Sequence, residues 1–407
     1  MQVAELEPAA DAAFPIDLSS HRHTPIWLEG NRAFSYRSLS LELQCTLAIR
    51  LAKSIVITFR SRSMTMQRLW KQVCSGPAAA LVLCAALTLP SPSLAQSASP
   101  YVMKLSTATV NDHQHEWLKR FAAAVEKDSA GRIKPEIYPA SQLGAIPRQI
   151  EGTQFGAIQG WIGPPEFLVG VDQRYEALSA PGLFANSAQA VRTLADPAVR
   201  DFMLGLGANK GLLGVGIYGV GPSSIAMRKP VRHLAEFAGM KIRVLASPFQ
   251  LEMIKRMGGS PVAMSLGDVL PALQQSTVDG ALGSMTIYTT MHYQDAAKYV
   301  VETGQPWISV AVVLSKKWFD GLPSDLQKIL RDDSAAVTEQ IVPFTSDFFA
   351  VQRKKWVASG GELISLPAAD ESAMIAKVSS IGSDLSQSQP QLNQAIKLVF
   401  AAGARNK

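Results

Sequence analysis

The residue with the most conspicuous chemistry is Arg243, because it interrupts an otherwise apolar stretch, "GMKIRVLAS" at 239–247. Ile242, Val244 and Leu245 are typical of a buried β-strand. A charge in such a strand is costly to bury without a partner. Two partners would satisfy it: a carboxylate in the protein core, or a bound anionic ligand. The stretch alone leaves both interpretations open.

Aromatic and hydroxyl side chains supply further candidates for contact with a small molecule. The aromatic candidates are Trp161, Phe184 and Tyr288, and the hydroxyl candidates are Ser223 and Ser284. Aromatic rings offer apolar walls, while a few placed polar groups orient a ligand. Together with Arg243, these side chains predict a binding site.

The patterns for catalysis and metal binding are weak. The histidines after residue 96 are His113, His115, His233 and His292. None of them has the H-E-x-x-H spacing of a zinc site. Asp268 and Asp279 could form an acid/base pair, but their contexts favour a first helical turn and a turn before a glycine. No nucleophile–base pair stands out, so we predict no enzyme activity, no metal and no cofactor.

One glycine pattern, "GVGIYG" at 214–219, has the G-x-G-x-x-G spacing of dinucleotide-binding loops. That fingerprint requires a strand before it and a helix that opens at the last glycine. Here the glycines lie inside the strand-like run itself, and Pro222 follows. The pattern therefore favours glycines in a packed strand.

Residues 64–95 have the composition of a secretory signal peptide. Arg68 and Lys71 give it a positive start, an apolar run of twelve residues follows at 78–89, and "SLA" at 93–95 is a small-x-small cleavage pattern. Because a signal peptide begins a chain, we expect the native start at Met64 or Met66 and interpret 1–63 as a non-native extension. The mature chain, 96–407, would then be a periplasmic protein.

The charge and the cysteines exclude some classes of function. The formal net charge of +6 is spread along the chain without a basic run, which does not favour nucleic acid as a partner. The three cysteines, Cys45, Cys74 and Cys84, all precede residue 96. The predicted mature chain can therefore form no disulfide and has no thiolate nucleophile.

The order of strand and helix patterns predicts largely parallel α/β sheets. A strand at 101–109, a helix at 115–131 and a strand at 132–138 begin the alternation, which resumes after 212. A long helical pattern with one apolar stripe covers 324–360. We expect two lobes with a cleft between them. Lobe 1 would be 96–220, completed by about 285–325, and lobe 2 would be 221–284, completed by about 326–407.

Four stretches together resemble the solute-binding proteins of tripartite ATP-independent periplasmic (TRAP) transporters, of the DctP type. They are "GRIKPEIYPASQLG" (131–144), "GMKIRV" (239–244), "LGDVLPALQQSTVDGALGS" (266–284) and "LSKKWFDGLPSDLQKIL" (314–330). The resemblance covers about 101–365. It implies a two-lobed, periplasmic-binding-protein-like clamshell with a long helix bracing both lobes. It also implies that the protein closes over a small organic acid and delivers it to membrane permease subunits.

The resemblance also implies a role for Arg243, since an arginine of the "GxKxRV" strand holds the ligand carboxylate in this family. The planar donors of a guanidinium match the two oxygens of a carboxylate. Sialic-acid-type members have a second arginine, which falls near Ser223 here, and an asparagine, which falls on Gly283. Because both are absent, we expect a monocarboxylate with an apolar or aromatic body. It would pack on Trp161, Phe184, Leu266 and Tyr288, with hydrogen bonds from Ser223 and Ser284.

Two other functions remain open from the sequence. A ligand-presenting sensor component that docks on a receptor would need the same cleft. A secreted enzyme that acts on small acids would use Asp268 or Asp279, although no nucleophile accompanies them.

Overall fold

The computed structural model of the protein describes residues 99–407. The predicted signal peptide at 64–95 and the predicted extension at 1–63 lie outside the described residues. The strands are β1 (Tyr101–Ser106), β2 (Ile133–Tyr138), β3 (Gly160–Gly163), β4 (Leu212–Pro222), β5 (Ser224–Met227), β6 (Lys241–Val244), β7 (Ser260–Ala263), β8 (Gly280–Gly283), β9 (Tyr299–Val301), β10 (Trp307–Ser315) and β11 (Glu362–Ile364).

The strands are connected by α-helices and by short 3₁₀ turns. The α-helices are α1 (His113–Asp128), α2 (Ile146–Phe155), α3 (Ser187–Ala195), α4 (Pro197–Gly205), α5 (Pro248–Arg256), α6 (Val269–Gln274), α7 (Met285–Thr290), α8 (Lys316–Asp320), α9 (Ser324–Ala358), α10 (Ala368–Val378), α11 (Ile381–Ser386) and α12 (Pro390–Arg405).

The strands form two sheets, which define two lobes. The first sheet has the order β2-β1-β3-β10-β4, and the second has the order β11-β9-β5-β8-β6-β7. In each sheet three strands run parallel, β2-β1-β3 and β7-β6-β8, as expected where helices connect successive strands. The predicted α/β class and the two-lobed architecture are confirmed.

Two of the places where the chain crosses between the sheets are adjacent. The first crossing is at Ser223, between β4 and β5, and the return crossing is at 302–306, between β9 and β10. The backbone N–H of Ser223 donates to the carbonyl of Pro306 at 2.9 Å, and its hydroxyl donates to the carbonyl of Gln305 at 2.5 Å. These two connections are thus hydrogen-bonded to each other.

Helix α9 links the two lobes along one side. Thr338, in its first half, accepts a hydrogen bond from the Trp117 indole of the first lobe at 3.1 Å. Gln352, in its second half, accepts one from Thr289 of the second lobe at 2.6 Å. The helix continues through Pro343 over its 35 residues. The bracing helix that the resemblance implied is therefore present.

The distribution of residues between the lobes differs from the sequence expectation. We expected 285–325 to complete the first lobe, but β9 pairs with β5 and β11 in the second sheet. Only from β10 onward does this segment join the first sheet. The C-terminal part is also shared, because α12 packs on α3 and α4 of the first lobe. These pairings join distant segments, so local patterns do not reveal them.

Within residues 99–407, no helix is both long and apolar enough to cross a membrane.

Candidate functional site

A cavity lies between the two sheets and is walled by both lobes. Its interior volume is about 30 Å³, or about 520 Å³ when the space that opens to solvent is counted. Trp161 of β3 and Gln114 of α1 line it from the first lobe, and Arg243 of β6 and Ser284 line it from the second. The other lining residues are Ala108, Thr109, Ile146, Ile162, Gly163, Pro164, Phe167, Leu245, Leu266, Leu282, Gly283, Ile287, Tyr288, Tyr293 and Ile308. Most of them are apolar, and Arg243 is the one charged residue among these lining residues.

Arg243 is held in place by backbone carbonyls rather than by a carboxylate. Its side chain is buried, and the residue is 3% exposed. Nε and Nη2 donate to the carbonyl of Met264 at 3.0 and 2.9 Å, and Nη1 donates to the carbonyl of Leu282 at 3.0 Å. Met264 follows β7 and Leu282 belongs to β8, so both strands that flank β6 fix the guanidinium.

These three hydrogen bonds do not use all the donors of Arg243. A guanidinium has five N–H groups, so two remain, one on each Nη nitrogen. No carboxylate between residues 99 and 407 lies within ion-pair distance of Arg243. Burial lowers the pKa of Arg243 from its ordinary value, but an arginine still keeps its proton at neutral pH. The charge of the buried Glu166 does act on Arg243, but Glu166 lies beyond ion-pair distance, so the core carboxylate that the sequence left open is not a direct partner of Arg243 among the described residues.

Two further polar groups of the cavity wall are buried without a hydrogen-bond partner. They are the indole Nε1 of Trp161 and the hydroxyl of Tyr293. Burial raises the pKa of Tyr293 to about 12, so the hydroxyl keeps its proton and can donate. The hydroxyl of Tyr288, by contrast, is already bound to the carbonyl of Ser224 at 2.6 Å. Buried donors without partners are uncommon in proteins, and at a cavity wall they point to a ligand that supplies acceptors.

The structure brings five of the seven predicted contact residues to the cavity. Trp161, Arg243, Leu266, Ser284 and Tyr288 line it. The hydroxyl of Ser284, however, is engaged at the start of α7, where it accepts from the backbone N–H of Thr286 at 3.3 Å. Which of these residues bind a ligand stays a prediction.

The remaining two predicted residues are not among the cavity-lining residues. Phe184 packs edge-on against Trp307, with ring centroids 6.0 Å apart. Ser223 binds the return crossing through its hydroxyl, as described above. Their side chains are committed to packing and to the connection between the lobes.

Gly283 shapes one wall of the cavity. The resemblance implies an asparagine at this position in sialic-acid-type relatives. A Cβ at this position would lie 3.3 Å from the ring of Tyr288. The glycine therefore leaves room for an aromatic side chain against this wall.

Several lining residues were not predicted from the sequence, and Tyr293 is the most informative of them. It lies in "MHYQD" at 291–295, a polar loop with no periodic pattern. Its side chain is 1% exposed because α7 and the following turn fold it back against Tyr288, with ring centroids 5.6 Å apart. An alignment of related sequences would be the signal that could reveal such a residue.

The acid/base candidates do not form a catalytic arrangement. The side chain of Asp279 accepts from the backbone N–H of Lys241 at 2.8 Å, which is a role in a turn. His113 is buried at 3.0 Å from the hydroxyl of Tyr218, and burial lowers the pKa of His113. No group of three or more potential metal ligands occurs in the part of the chain that the structure describes.

Two α/β lobes, a bracing helix and an apolar cavity with one buried cation define a protein that binds a small solute between its lobes. The family model for bacterial extracellular solute-binding proteins, family 7 (DctP), matches residues 105–388. The chain belongs to this family, whose members are solute-binding proteins rather than enzymes.

Relatives with names are consistent with this assignment. The C4-dicarboxylate-binding periplasmic protein DctP of Rhodobacter capsulatus is 26% identical over 260 residues, which are 62% of this chain and 75% of that protein. The 2,3-diketo-L-gulonate-binding periplasmic protein YiaO of Escherichia coli is 27% identical over 220 residues, which are 54% of this chain and 67% of that protein.

Solved structures share the fold. A TRAP periplasmic solute-binding protein from Desulfovibrio salexigens with bound orotic acid has a TM-score of 0.72 at 24% identity, covering 75% of this chain and 100% of that one. The sugar-acid-binding protein DctPAm from Advenella mimigardefordensis with galactonate has a TM-score of 0.72 at 19% identity, covering 76% and 99%.

Proposed function

We propose that this chain is the solute-binding subunit of a TRAP transporter, which binds a small organic acid through Arg243 and delivers it to the membrane permease. The observation that carries the proposal is a buried guanidinium in the cavity between the lobes, with one N–H left on each Nη nitrogen and no protein carboxylate paired with it. A carboxylate accepts two parallel hydrogen bonds from this edge of a guanidinium.

The surroundings of Arg243 make such a contact effective. Its guanidinium is fixed by Met264 and Leu282, so little side-chain freedom is lost when a ligand binds. The apolar wall lowers the local dielectric, which strengthens the attraction between a carboxylate and the cation. The donors of Tyr293 and Trp161 supply further hydrogen bonds to oxygen atoms of the acid.

The ligand carries one carboxylate on an apolar or flat body. No second cation is present among the cavity-lining residues to pair with a second carboxylate. The aromatic rings of Trp161, Phe167 and Tyr288 offer apolar contact area instead. Relatives with bound orotic acid and with bound galactonate support the class of small acids, while a relative with bound succinate shows that dicarboxylates are also used in this fold.

The place of action is the periplasm. The named relatives in the family are periplasmic binding proteins. The predicted signal peptide at 64–95 supports export of this chain. N-terminal sequencing of the exported protein is expected to give a start near Gln96, whereas a periplasmic protein that keeps residues 1–63 would contradict this assignment.

Calorimetric titration tests the proposed function. The full-length chain is titrated with orotate, glucuronate, galactonate and succinate, and compounds released on denaturation are identified by mass spectrometry. We expect saturable binding of at least one monocarboxylate and a carboxylic acid among the released compounds. Binding of none of these acids, with a neutral or cationic compound released instead, would contradict the proposal.

A further inference from the structure

Two buried glutamates lie next to the cavity and belong to the first lobe. Glu166 is in the 3₁₀ turn Pro165–Leu168, which follows β3, and Glu176 is in the next turn, Gln173–Ser179. Each residue is 1% exposed. Neither belongs to the residues that line the cavity, and the proposed contact with a carboxylate does not use them. Buried carboxyl groups are rare unless they are paired or have a function.

The contacts of the two glutamates cross to the second lobe. Oε1 of Glu176 accepts from the hydroxyl of Ser247 at 2.5 Å and from the N–H of Phe249 at 2.7 Å. Oε1 of Glu166 accepts from the amide of Gln250 at 3.3 Å. These three partners lie at the start of α5. Within the first lobe, Glu166 also accepts from the hydroxyl of Ser179 at 2.9 Å.

Neither carboxyl group is fully satisfied as an anion. Oε2 of Glu166 and Oε2 of Glu176 are buried without a hydrogen-bond partner. An ionised carboxylate in such a place is expensive, whereas a protonated one is not. The geometry therefore favours a proton on the pair.

The charged groups that face this pair are few. The positive charge of Arg243, on β6, favours the ionised form of Glu166. The charge of Glu166, in turn, disfavours ionisation of Glu176. Helix α5 presents the neutral groups of Ser247, Phe249 and Gln250. Burial raises the pKa of Glu166 to about 7, against the opposing effect of Arg243. Burial and the neighbouring Glu166 raise the pKa of Glu176 to about 8.

When an acid binds, its carboxylate and the ionised fraction of Glu166 compete for the same cation, Arg243. We propose that binding of an organic anion at Arg243 is accompanied by uptake of a proton from solvent by the Glu166–Glu176 pair. The ligand carboxylate neutralises Arg243, which removes the charge that favours the ionised form of Glu166. The proton belongs to the pair as a unit, since the two groups titrate together. The inference rests on the proposed function and adds a proton to the bound species.

The expected pH dependence follows from this coupling. A carboxyl group whose pKa is higher in the bound state than in the free state strengthens binding at low pH. This contribution is lost as the pH rises through the pKa of the bound state. Below about pH 6 Glu166 is already protonated before the ligand binds, so the affinity for an acid that is ionised throughout should be nearly constant there. The affinity should fall, by less than about tenfold per pH unit, as the pH rises through about 7, and it should level off above the pKa of the bound state.

The experiment is calorimetry of the full-length chain with orotate, and in parallel with glucuronate, at pH 7 in phosphate, HEPES and Tris. These buffers differ in ionisation enthalpy. When the observed binding enthalpy is plotted against the ionisation enthalpy of the buffer, the slope gives the number of protons taken up. We expect uptake of up to about half a proton for the wild type, because a group with a pKa of about 7 is already half protonated at pH 7. Glu166→Gln should reduce the uptake by at least half, and Glu166→Gln with Glu176→Gln should abolish it. The exposed Glu151→Gln, on α2, is the matched control and should leave it unchanged.

The outcomes separate this inference from the proposed function. Tight binding of orotate or glucuronate with a slope of zero in the wild type would overturn the proton uptake and leave the proposed function intact. An unchanged slope in Glu166→Gln would also overturn it. Binding of neither acid would overturn both proposals. Because the wild-type slope alone decides, the inference stays testable even where the double variant does not fold.

Discussion

Two openings of very different size can be compared in this molecule. The first is the cavity around Arg243, with an interior volume of about 30 Å³. The second is a groove along the edge strand β4, lined by 213–219, by α3 and α4 and by α9, with an interior volume of about 550 Å³. We call it the β4 groove. The β4 groove is larger, but its side chains give the weaker indication of ligand binding. Volume alone therefore does not indicate where the ligand binds.

The difference lies in the state of the arginines. Arg200 of the β4 groove is exposed and pairs with Asp201 at 3.0 Å, while the exposed Arg331 stacks over the ring of Phe319 at 4.7 Å. Arg243 is buried and has N–H groups left over. Exposed cations are well solvated by water and need no further partner, whereas a buried one does. For this reason we propose that the ligand binds at the unpaired buried charge rather than in the β4 groove.

Arg243→Ala should produce the largest loss of binding. Removal of a charge-assisted bidentate contact in a closed cavity costs about 2–5 kcal/mol, which is about 30-fold to several thousand-fold in affinity. The fold should survive, with a loss of about 1–3 kcal/mol, because the carbonyls of Met264 and Leu282 lose their donor. Calorimetry and thermal melts measure the two effects.

The matched control for this variant is Arg331→Ala in the β4 groove. It should leave the affinity for the acid within about twofold of the wild type. Unchanged binding by Arg243→Ala together with a large drop in melting temperature would mean that Arg243 has a structural role only.

Arg243→Lys should recover part of the affinity that the alanine variant loses. An ammonium keeps the charge but is a point donor without the planar fork. It also cannot reach both Met264 and Leu282 while it contacts a ligand. We expect an affinity between those of the wild type and the alanine variant by calorimetry. Full recovery would argue that charge alone, without the bidentate geometry, holds the ligand.

Tyr293→Phe should have a smaller effect, because it removes one neutral donor from the cavity. The loss of one hydrogen bond corresponds to about 3- to 10-fold in affinity. Tyr175→Phe is the matched control, since the Tyr175 hydroxyl is buried but donates to the carbonyl of Leu206 at 3.0 Å, outside the cavity lining. A fluorescence or calorimetric titration distinguishes the two. Equal affinities in both variants would remove Tyr293 from the site.

Ser223→Ala should change the affinity least, by less than about twofold. Its hydroxyl is engaged with Gln305, so the substitution should appear as a lower melting temperature, of the order of one lost hydrogen bond. A tenfold weaker binding with an unchanged melting temperature would restore Ser223 to the ligand contacts predicted from the sequence.

The sequence could predict that Arg243 lies in a buried strand and that the glycines at 214–219 lie in a packed strand, because both are local features. A charge inside an apolar strand is visible in a few residues. The prediction that "GVGIYG" is a packed strand is confirmed, since it lies in β4 and a Cβ on Gly214 would meet the carbonyl of Leu204 at 2.5 Å. Local steric and solvation rules were sufficient for these two conclusions.

The sequence could not predict features that depend on pairing between distant segments. Strand β9 joins the second sheet because its partners are β5 and β11, which lie far away along the chain. Phe184 has the right chemistry for a ligand contact but packs on Trp307, and Tyr293 has an unremarkable context but reaches the cavity. Residue type alone does not tell which wall a side chain faces.

The most direct test of the central claim is to compare an acid with its uncharged amide. The full-length chain is titrated with the acid that binds most tightly and with the corresponding carboxamide, which has nearly the same shape but no charge. If Arg243 binds the carboxylate, the amide should bind at least about 30-fold more weakly, and this difference should disappear in Arg243→Ala. Equal affinities for the acid and the amide in the wild type would contradict the account.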